Sequence, residues 1–227
     1  MIIMYKLVLP LTLITAPLYA QETNILGWAG TADVGFSNAT GNSENSSFSA
    51  DLAAKRDWQD WALSFNFEGR VSEDDGNRSQ ERYVFGAQAD RKLDAISYLF
   101  ANTDYVIDKF SGFDYQITPT IGYGRTFWEN DTHTLKGQIG IGARISETDD
   151  DAVPANDQTT EFVTRPELDY SWNINENVTF TQHLEAGIGT EFTILESETS
   201  LKSQLSEQLY LKASYKVLHT TEVPANT

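Results

Sequence analysis

The clearest pattern in the sequence is a strict alternation of apolar and polar positions in residues 110–144. Between residues 115 and 124 the two faces are Tyr115, Ile117, Pro119, Ile121 and Tyr123 against Gln116, Thr118, Thr120, Gly122 and Gly124. After a turn at residues 128–133, the alternation resumes in residues 135–144. A period of two predicts β-strands with two unlike faces. Strands of about 10 residues are long enough to cross a bilayer when they are tilted.

The same alternation recurs along the chain and predicts about eleven strands. They are residues 25–36, 47–56, 61–71, 81–91, 96–106, 110–124, 135–144, 160–172, 178–190, 195–205 and 209–217. The connections that follow even-numbered strands are short, whereas the others, such as residues 37–46, 72–80 and 146–158, are mostly longer and polar or acidic. Outer-membrane barrels have this order of turns and loops. We therefore expect an all-β, antiparallel, up-and-down transmembrane β-barrel.

Individual residues refine this expectation. Pro166 removes a ladder hydrogen bond from the eighth strand, so we expect a bulge there. The five tryptophans fall near strand ends beside the short turns, as in an interfacial girdle, although ordinary strand packing would also place them there; they are Trp28, Trp58, Trp61, Trp128 and Trp172.

The face opposite the apolar one carries charges of both signs. Its members are Glu68, Arg70, Arg82, Asp90, Lys136, Arg144, Arg165, Glu167, Asp169, Glu185, Lys202, Lys212 and Lys216. In a barrel these side chains would line a hydrated or salt-bridged lumen, whereas in a soluble β-sandwich they would face solvent. Three features together favour the barrel. They are the length of the strands, the alternation of short and longer connections, and the signal peptide predicted below.

Residues 1–20 predict a secretory signal peptide, because Lys6 precedes an apolar run at residues 7–14 and Leu18-Tyr19-Ala20 resembles a cleavage site. The domain organisation expected is therefore a signal peptide at residues 1–20 and a barrel domain at residues 21–227.

Composition changes this picture little. The mean hydropathy of −0.38 is compatible with a barrel, since only alternate residues of a barrel strand face lipid. The formal net charge of −17 argues against nucleic acid as a partner, because phosphates would be repelled. The absence of cysteine excludes disulfides, thiolate catalysis and zinc sites built on cysteine.

Several segments together resemble the salt-induced outer-membrane protein family of bacteria. The most specific is Phe110-Ser111-Gly112-Phe113-Asp114-Tyr115-Gln116 followed by Gly122-Tyr123-Gly124. Further matching segments are Gly41-Asn42, Ser46-Ser47-Phe48, Glu81-Arg82-Tyr83, Tyr98-Leu99-Phe100, Leu168-Asp169-Tyr170, Thr179-Phe180-Thr181-Gln182 and Val223-Pro224. The resemblance implies an outer-membrane β-barrel linked to salt or envelope stress, and it brings no catalytic residues.

The sequence departs from that family's pattern after Val223-Pro224. Members of the family continue into a final strand that ends in an aromatic residue, whereas this sequence stops at Thr227. An antiparallel barrel of bacterial type has an even number of strands. The expectation is therefore eleven strands, with the closing twelfth strand missing.

The residues offer few candidates for chemistry. Among His133, His183 and His219, only His183 is expected to face inward, with Thr181 and Glu185 on the same face. A barrel hydrolase using His183 is an alternative, but a lumen histidine bonded to a neighbour is the simpler interpretation. The acidic clusters Asp74-Asp75 and residues 149–151 suggest at most weak binding of divalent cations at loops. No catalytic, cofactor-binding or metal-binding residue is predicted, and no cofactor.

The function expected from the sequence is a non-enzymatic outer-membrane protein with a structural or small-pore role. Its expected partners are outer-membrane lipid, lipopolysaccharide and the barrel-assembly machinery. The alternative, from a different class, is a secreted or periplasmic β-sandwich that binds an envelope component.

Overall fold

The structure is a computed structural model, described here for residues 27–39, 45–148, 158–206 and 210–221. These residues form eleven strands: β1 (Trp28–Ala39), β2 (Asn45–Asp57), β3 (Trp61–Asp74), β4 (Asn77–Lys92), β5 (Ser97–Asp108), β6 (Phe113–Glu129), β7 (His133–Thr148), β8 (Gln158–Asn175), β9 (Val178–Gly189), β10 (Thr193–Gln204) and β11 (Tyr210–Thr220). Within the described ranges, no helix is long and apolar enough to span a membrane. The predicted signal peptide at residues 1–20 lies outside the described residues.

All eleven strands belong to one sheet, in which each strand pairs antiparallel with its neighbours in sequence order. This topology confirms the predicted all-β, up-and-down architecture. The alternative of a β-sandwich is wrong, since a sandwich needs two facing sheets and every strand in the described ranges lies in this single one.

The sheet curls until its two edges approach each other. Lys212 of β11 lies 3.7 Å from Asp33 of β1, and Lys216 of β11 lies 2.6 Å from Glu68 of β3. The concave face therefore encloses an interior, which we call the lumen. In the described strands, the backbone ladder runs from β1 to β11 without joining these two strands. We call the gap between β1 and β11 the seam.

The seam has a defined polarity. Alternate strands of an antiparallel sheet run the same way, so β1 and β11 are parallel to each other. The sequence also predicts that a twelfth strand is missing after β11. Residues 222–227, which follow β11 in the sequence, lie outside the described residues.

The alternation of the sequence becomes the two faces of the sheet. Large apolar side chains on the convex face are exposed, including Ile121 at 63%, Phe162 at 56% and Tyr215 at 69% of their surface. Most of the buried residues lie on the concave face, and several of them are polar or charged, such as Arg144, Glu161 and Ser146. The sheet is therefore inverted relative to a water-soluble domain, which buries its apolar face.

The predicted loop at residues 72–80 is wrong. β3 continues to Asp74 and β4 begins at Asn77, so Asp75 and Gly76 form a two-residue turn. Both residues have positive φ, 49° for Asp75 and 77° for Gly76. Two successive positive φ values are typical of the type I′ hairpin turn, for which Asp-Gly is a preferred sequence. Residues 72–80 are rich in acidic side chains, which are typical of loops, so the Asp75-Gly76 turn was not predicted.

The bulge expected at Pro166 is also absent. The register of β8 on β7 passes through Pro166 paired with Ile139 without a shift. On the β9 side, the pairs Thr164–Ile188 and Glu167–Glu185 keep one register across the proline. The irregularity of β8 lies instead near its end, between Asn173 and Asn175, and one of those of β6 lies between Phe113 and Tyr115. The irregularity at Phe113 matters for the interior of the sheet. It reverses the facing of Phe113, which is only 7% exposed.

The tryptophans gather at the end of the sheet with the short turns, as predicted. Trp58 and Trp61 flank the β2–β3 turn, where Arg56 and Arg91 lie 4.9 and 5.3 Å from their respective ring centroids. At the β6–β7 turn of the same end, the ring of His133 stacks between Trp128, whose ring centroid is 5.1 Å away, and Trp172, whose ring centroid is 5.8 Å away. These rings are on the convex face, so they form a partly exposed aromatic rim.

The β4–β5 turn at the same end is stabilised by one carboxylate. Asp94 Oδ1 accepts hydrogen bonds from the backbone N–H groups of Ile96 and Ser97, each at 2.8 Å. Both hydrogen bonds favour the charged carboxylate, and the bond from Ile96 has the larger effect. They lower the pKa of Asp94 below its ordinary value of 3.8. The ionised carboxylate of Asp94 thus stabilises the turn more than its protonated form does.

Stability conferred by Asp94 should depend on pH. A lowered folded-state pKa contributes stability that is present above pH 3.8 and is lost as the pH falls through the folded pKa. We expect Asp94→Asn to be less stable than the parent chain at pH 7, and the difference to shrink as the pH falls below 3.8. Urea unfolding of both variants at each pH measures it, since the other groups titrate equally in both. A difference that did not change with pH would contradict this account.

Candidate functional site in the lumen

The concave face lines a cavity of about 630 Å³. Ten of the charged residues predicted to face inward line it: Glu68, Arg82, Asp90, Lys136, Arg144, Arg165, Glu167, Asp169, Glu185 and Lys216. Arg70 pairs with Asp51 of the neighbouring strand β2, and Lys212 lies 3.7 Å from Asp33 across the seam. Lys202 instead lies 3.9 Å from the ring centroid of Tyr210. The assignment of the inward face from the sequence is therefore confirmed.

An arginine at the centre of the lumen joins strands that are not neighbours. Arg165 of β8 donates to Glu185 of β9 at 2.8 Å. It also reaches β5, where it donates to Asn102 at 2.9 Å and pairs with Asp104. β6 and β7 separate β5 from β8 in the sheet, so these contacts cross the lumen. Side chains therefore fill part of the interior and hold opposite walls together.

Glycine makes room for the ring of Phe100 on the two strands between β5 and β8. A Cβ atom at Gly122 of β6 would lie 2.6 Å from Cζ of Phe100, and one at Gly140 of β7 would lie 3.1 Å from it. Both glycines face the lumen, where the Phe100 ring covers them and is only 6% exposed. The small residues that alternate on these strands are thus required by close packing inside the sheet.

The seam is bridged by two lysines of β11. Lys216 pairs with Glu68 of β3 at 2.6 Å and with Glu196 of β10 at 2.9 Å. Lys212 lies 3.7 Å from both Asp33 of β1 and Glu198 of β10. Each lysine therefore joins a carboxylate beside β11 to one across the seam.

A buried cluster, here called the mouth cluster, lies at the end of the sheet that carries the β3–β4, β5–β6 and β9–β10 connections. It consists of Phe113, Arg144, Glu161 and Phe192, each less than 9% exposed. Arg144 donates to Glu161 at 2.7 Å and to the carbonyl of Gly187 at 2.8 Å, and its guanidinium lies 4.4 Å from the Phe192 ring centroid. Phe192 stacks on Phe113 at 5.7 Å. The β9–β10 connection is therefore folded inward across this end of the lumen.

His183 lies in a second cluster, here called the lumen patch: Glu167, Asp169, His183 and Glu185. His183 Nδ1 is 2.8 Å from Asp169 Oδ1, and its Nε2 is 4.0 Å from Glu185 Oε2. Glu167 accepts a hydrogen bond from Gln138 Nε2 at 2.6 Å. One ligand atom from each of Glu167, Asp169 and His183 lies within 4.8 Å of the other two. The arrangement brings together groups that can exchange protons or coordinate a cation.

The prediction that His183 alone of the three histidines faces inward is confirmed. His133 and His219 lie near strand ends, as expected, on the convex face. Of the neighbours expected for His183, Glu185 is close, whereas Thr181 bonds Ser200 at 2.6 Å instead. Asp169 is the main partner because the register places it directly opposite His183 on β8. That pairing needs the strand register, which single-strand periodicity does not supply.

Sequence analysis missed Asp104, Gln138 and Phe192 as members of lumen clusters. Asp104 lies in β5, whose alternation is the least regular in the sequence. Phe192 belongs to a connection rather than a strand, so periodicity contains no signal for it. The loops expected to attract cations are not part of the lumen clusters: Asp74 and Asp75 lie at the β3–β4 turn, and residues 149–151 lie outside the described residues.

A curled antiparallel sheet that is apolar outside and charged inside defines the class of β-barrel-like proteins. Sequence comparison then gives the family: residues 32–227 match the model described as "Protein of unknown function, DUF481", and the chain belongs to that family. It is also similar to "Uncharacterized protein YdiY" of Escherichia coli (strain K12), with 28% identity over 197 residues. That match covers 86% of this chain and 75% of the relative.

Removing one lysine of the seam should destabilise the sheet. In Lys216→Met, Glu68 and Glu196 lose a cation that is only 21% exposed. We expect a loss of about 2 kcal/mol in the free energy of unfolding, below the ~3–5 kcal/mol of a fully buried pair. Urea unfolding followed by tryptophan fluorescence measures it.

Lys55→Met is the matched control, since Lys55 pairs with Asp57 where both side chains are about half exposed. Exposed pairs contribute about 0.5 kcal/mol or less. Equal losses in the two variants would show that the seam is not tied by Lys216.

Proposed function

We propose that this chain is a non-enzymatic outer-membrane β-barrel protein whose lumen is largely filled and whose role is structural. The observation that carries the proposal is the distribution of side chains on the sheet. Exposed apolar residues cover the convex face, and paired charges cover the concave face. A surface of this kind is stable where hydrocarbon, rather than water, contacts the convex face.

The rim of aromatic residues supports the same placement. Trp58, Trp61 and Trp128 are 43–51% exposed at the end of the sheet with the short turns. Tryptophan prefers the interface between hydrocarbon and water, and outer-membrane barrels carry such girdles. The short turns would then face the periplasm.

One group of polar side chains on the outer face is paired internally, as a lipid environment requires. Gln182 donates to Ser197 at 3.1 Å and accepts from Thr199 at 2.6 Å, all on the convex side of β9 and β10. These bonds satisfy both ends of the Gln182 amide without water.

The remaining parts of the proposal rest on the sequence. The signal peptide supports export, and the resemblance to the salt-induced family supports a link to salt or envelope stress. Lipid, lipopolysaccharide and the barrel-assembly machinery are the proposed partners. Enzymatic activity is not proposed, because the nearest polar groups to His183 are the carboxylates of Asp169 and Glu185 rather than a nucleophilic hydroxyl.

Membrane placement can be tested with neighbouring residues of β3. Phe65 is on the convex face and 45% exposed, whereas Ser64 lines the lumen. We expect Phe65→Arg to cost about 2 kcal/mol for folding into lipid vesicles, and Ser64→Arg less than about 1 kcal/mol, because only the former puts a charge into hydrocarbon. Urea titration of the folded chain in vesicles measures both.

Fractionation of cells that make the full chain provides the direct test. The protein should be recovered with the outer membrane and should migrate differently on gels before and after heating, as folded barrels do. Recovery in the soluble periplasmic fraction, together with equal costs for the two arginine variants, would refute membrane insertion.

A narrow pore is the second candidate, favoured by the cavity of about 630 Å³. The mouth cluster would be its constriction, because Phe192 and Arg144 close one end of the lumen. This candidate and the filled lumen differ in the passage of ions.

Conductance across planar bilayers separates them. A pore predicts current steps that become larger in Phe192→Ala, which removes the ring stacked on Phe113. Phe162→Ala is the control, since Phe162 is exposed on the convex face and should leave the steps unchanged. Silence of both the parent chain and Phe192→Ala would support the filled lumen and reject the pore.

A further inference from the structure

The lumen patch is built by direct cross-strand pairing. In the register of β8 and β9, Asp169 lies opposite His183 and Glu167 lies opposite Glu185. Residues two apart on a strand share a face, so all four side chains point into the lumen. Three carboxylates and one imidazole are thereby concentrated on two adjacent strands.

The spacing of three of these groups suits one small cation. The ligand atoms of Glu167, Asp169 and His183 lie within 4.8 Å of one another. In a tetrahedral zinc site with ligand distances of about 2.0–2.2 Å, ligand atoms lie about 3.3–3.6 Å apart, so the three atoms must approach one another by about 1 Å. Small side-chain rotations therefore suffice to bring all three onto one ion.

Neighbouring side chains hold two of the carboxylates in position. Tyr98 donates to Gln138 Oε1 at 3.0 Å, which directs Gln138 Nε2 towards Glu167 Oε2 at 2.6 Å. The second oxygen of Glu167 is left for another ligand. Glu185 is held separately by Arg165 at 2.8 Å. Outer hydrogen bonds of this type orient the ligands of metal sites.

The lumen patch contains more carboxylates than cationic partners, which favours the binding of a cation. Among the described ion pairs, Arg165 compensates Glu185 and His183 pairs with Asp169, whereas Glu167 has no cationic partner. The carboxylates face a confined lumen, where like charges repel more strongly than in bulk water. The mixed set of oxygen and imidazole nitrogen suits zinc and other first-row divalent ions, whereas calcium and magnesium prefer oxygen alone.

We propose that Glu167, Asp169 and His183 bind a divalent first-row transition-metal ion, such as Zn²⁺, inside the lumen. Binding takes the neutral form of His183 and displaces the hydrogen bond between its ring and Asp169. Gln138 and Glu185 remain in place as orienting neighbours. The site needs only the curled sheet, so it is independent of the proposed membrane placement.

The test uses the untagged full chain, folded in detergent, with zinc chloride as the titrant in calorimetry. One Zn²⁺ per chain is expected, with calcium chloride giving no comparable binding. His183→Ala and Glu167→Gln should each weaken the affinity for Zn²⁺ by at least about 10- to 100-fold. His219→Ala is the matched control, because it removes an exposed histidine outside the lumen, and its affinity should equal that of the parent chain.

Replacement of zinc by cobalt gives a second readout, since nitrogen and oxygen ligation of Co²⁺ produces visible absorption bands that His183→Ala should abolish. Circular dichroism checks that each variant is folded, and Glu167→Gln keeps a side chain of the same shape should His183→Ala misfold. Lack of saturable zinc binding, or unchanged affinity in Glu167→Gln, would overturn the proposal. Loss of binding in His219→Ala would also overturn it, by placing the ion elsewhere.

Discussion

Opposite charges paired across the lumen are the interaction on which the rest of this structure depends. A sheet whose apolar face points outward has, among the described residues, only a few buried apolar side chains, such as Phe100, Val163 and Phe192, to hold its walls together. Arg165 joins β8 to β5 and β9, and Lys216 joins β11 to β3 and β10. Each pair is only partly exposed, so removal of one member leaves its partner desolvated and unpaired. The same set of ion pairs therefore links opposite walls of the lumen and the two sides of the seam.

Close packing of aromatic side chains inside the sheet adds to the contacts that the ion pairs make. Gly122 and Gly140 leave space for Phe100, and the irregularity at Phe113 turns an aromatic ring inward against Phe192. These contacts separate the mouth cluster, where two aromatic rings pack around one ion pair, from the polar centre of the lumen. The mouth cluster lies at one end of the lumen, whereas the lumen patch lies in its polar centre.

Most of the fold could be predicted from the sequence, because a period of two assigns both the strands and their faces. The inward position of His183 and of thirteen charged residues followed directly from it. What periodicity cannot supply is the alignment of one strand against the next. The pairs Asp169–His183 and Gln138–Glu167 depend on that alignment, and Arg165–Asp104 depends on curvature over several strands. The Asp75-Gly76 turn was readable in principle, since its dipeptide favours a tight hairpin, but its acidic flanks suggested a loop.

Because β1 and β11 run in the same direction, the number of strands that can be added between them with antiparallel pairing is restricted. A direct ladder between them would be a parallel pair, with slanted hydrogen bonds, in a sheet otherwise antiparallel. One strand inserted at the seam would run opposite to both edges and satisfy both with the same bond geometry, whereas two inserted strands would again force a mismatch. Antiparallel closure of this wall therefore requires an odd number of additional strands.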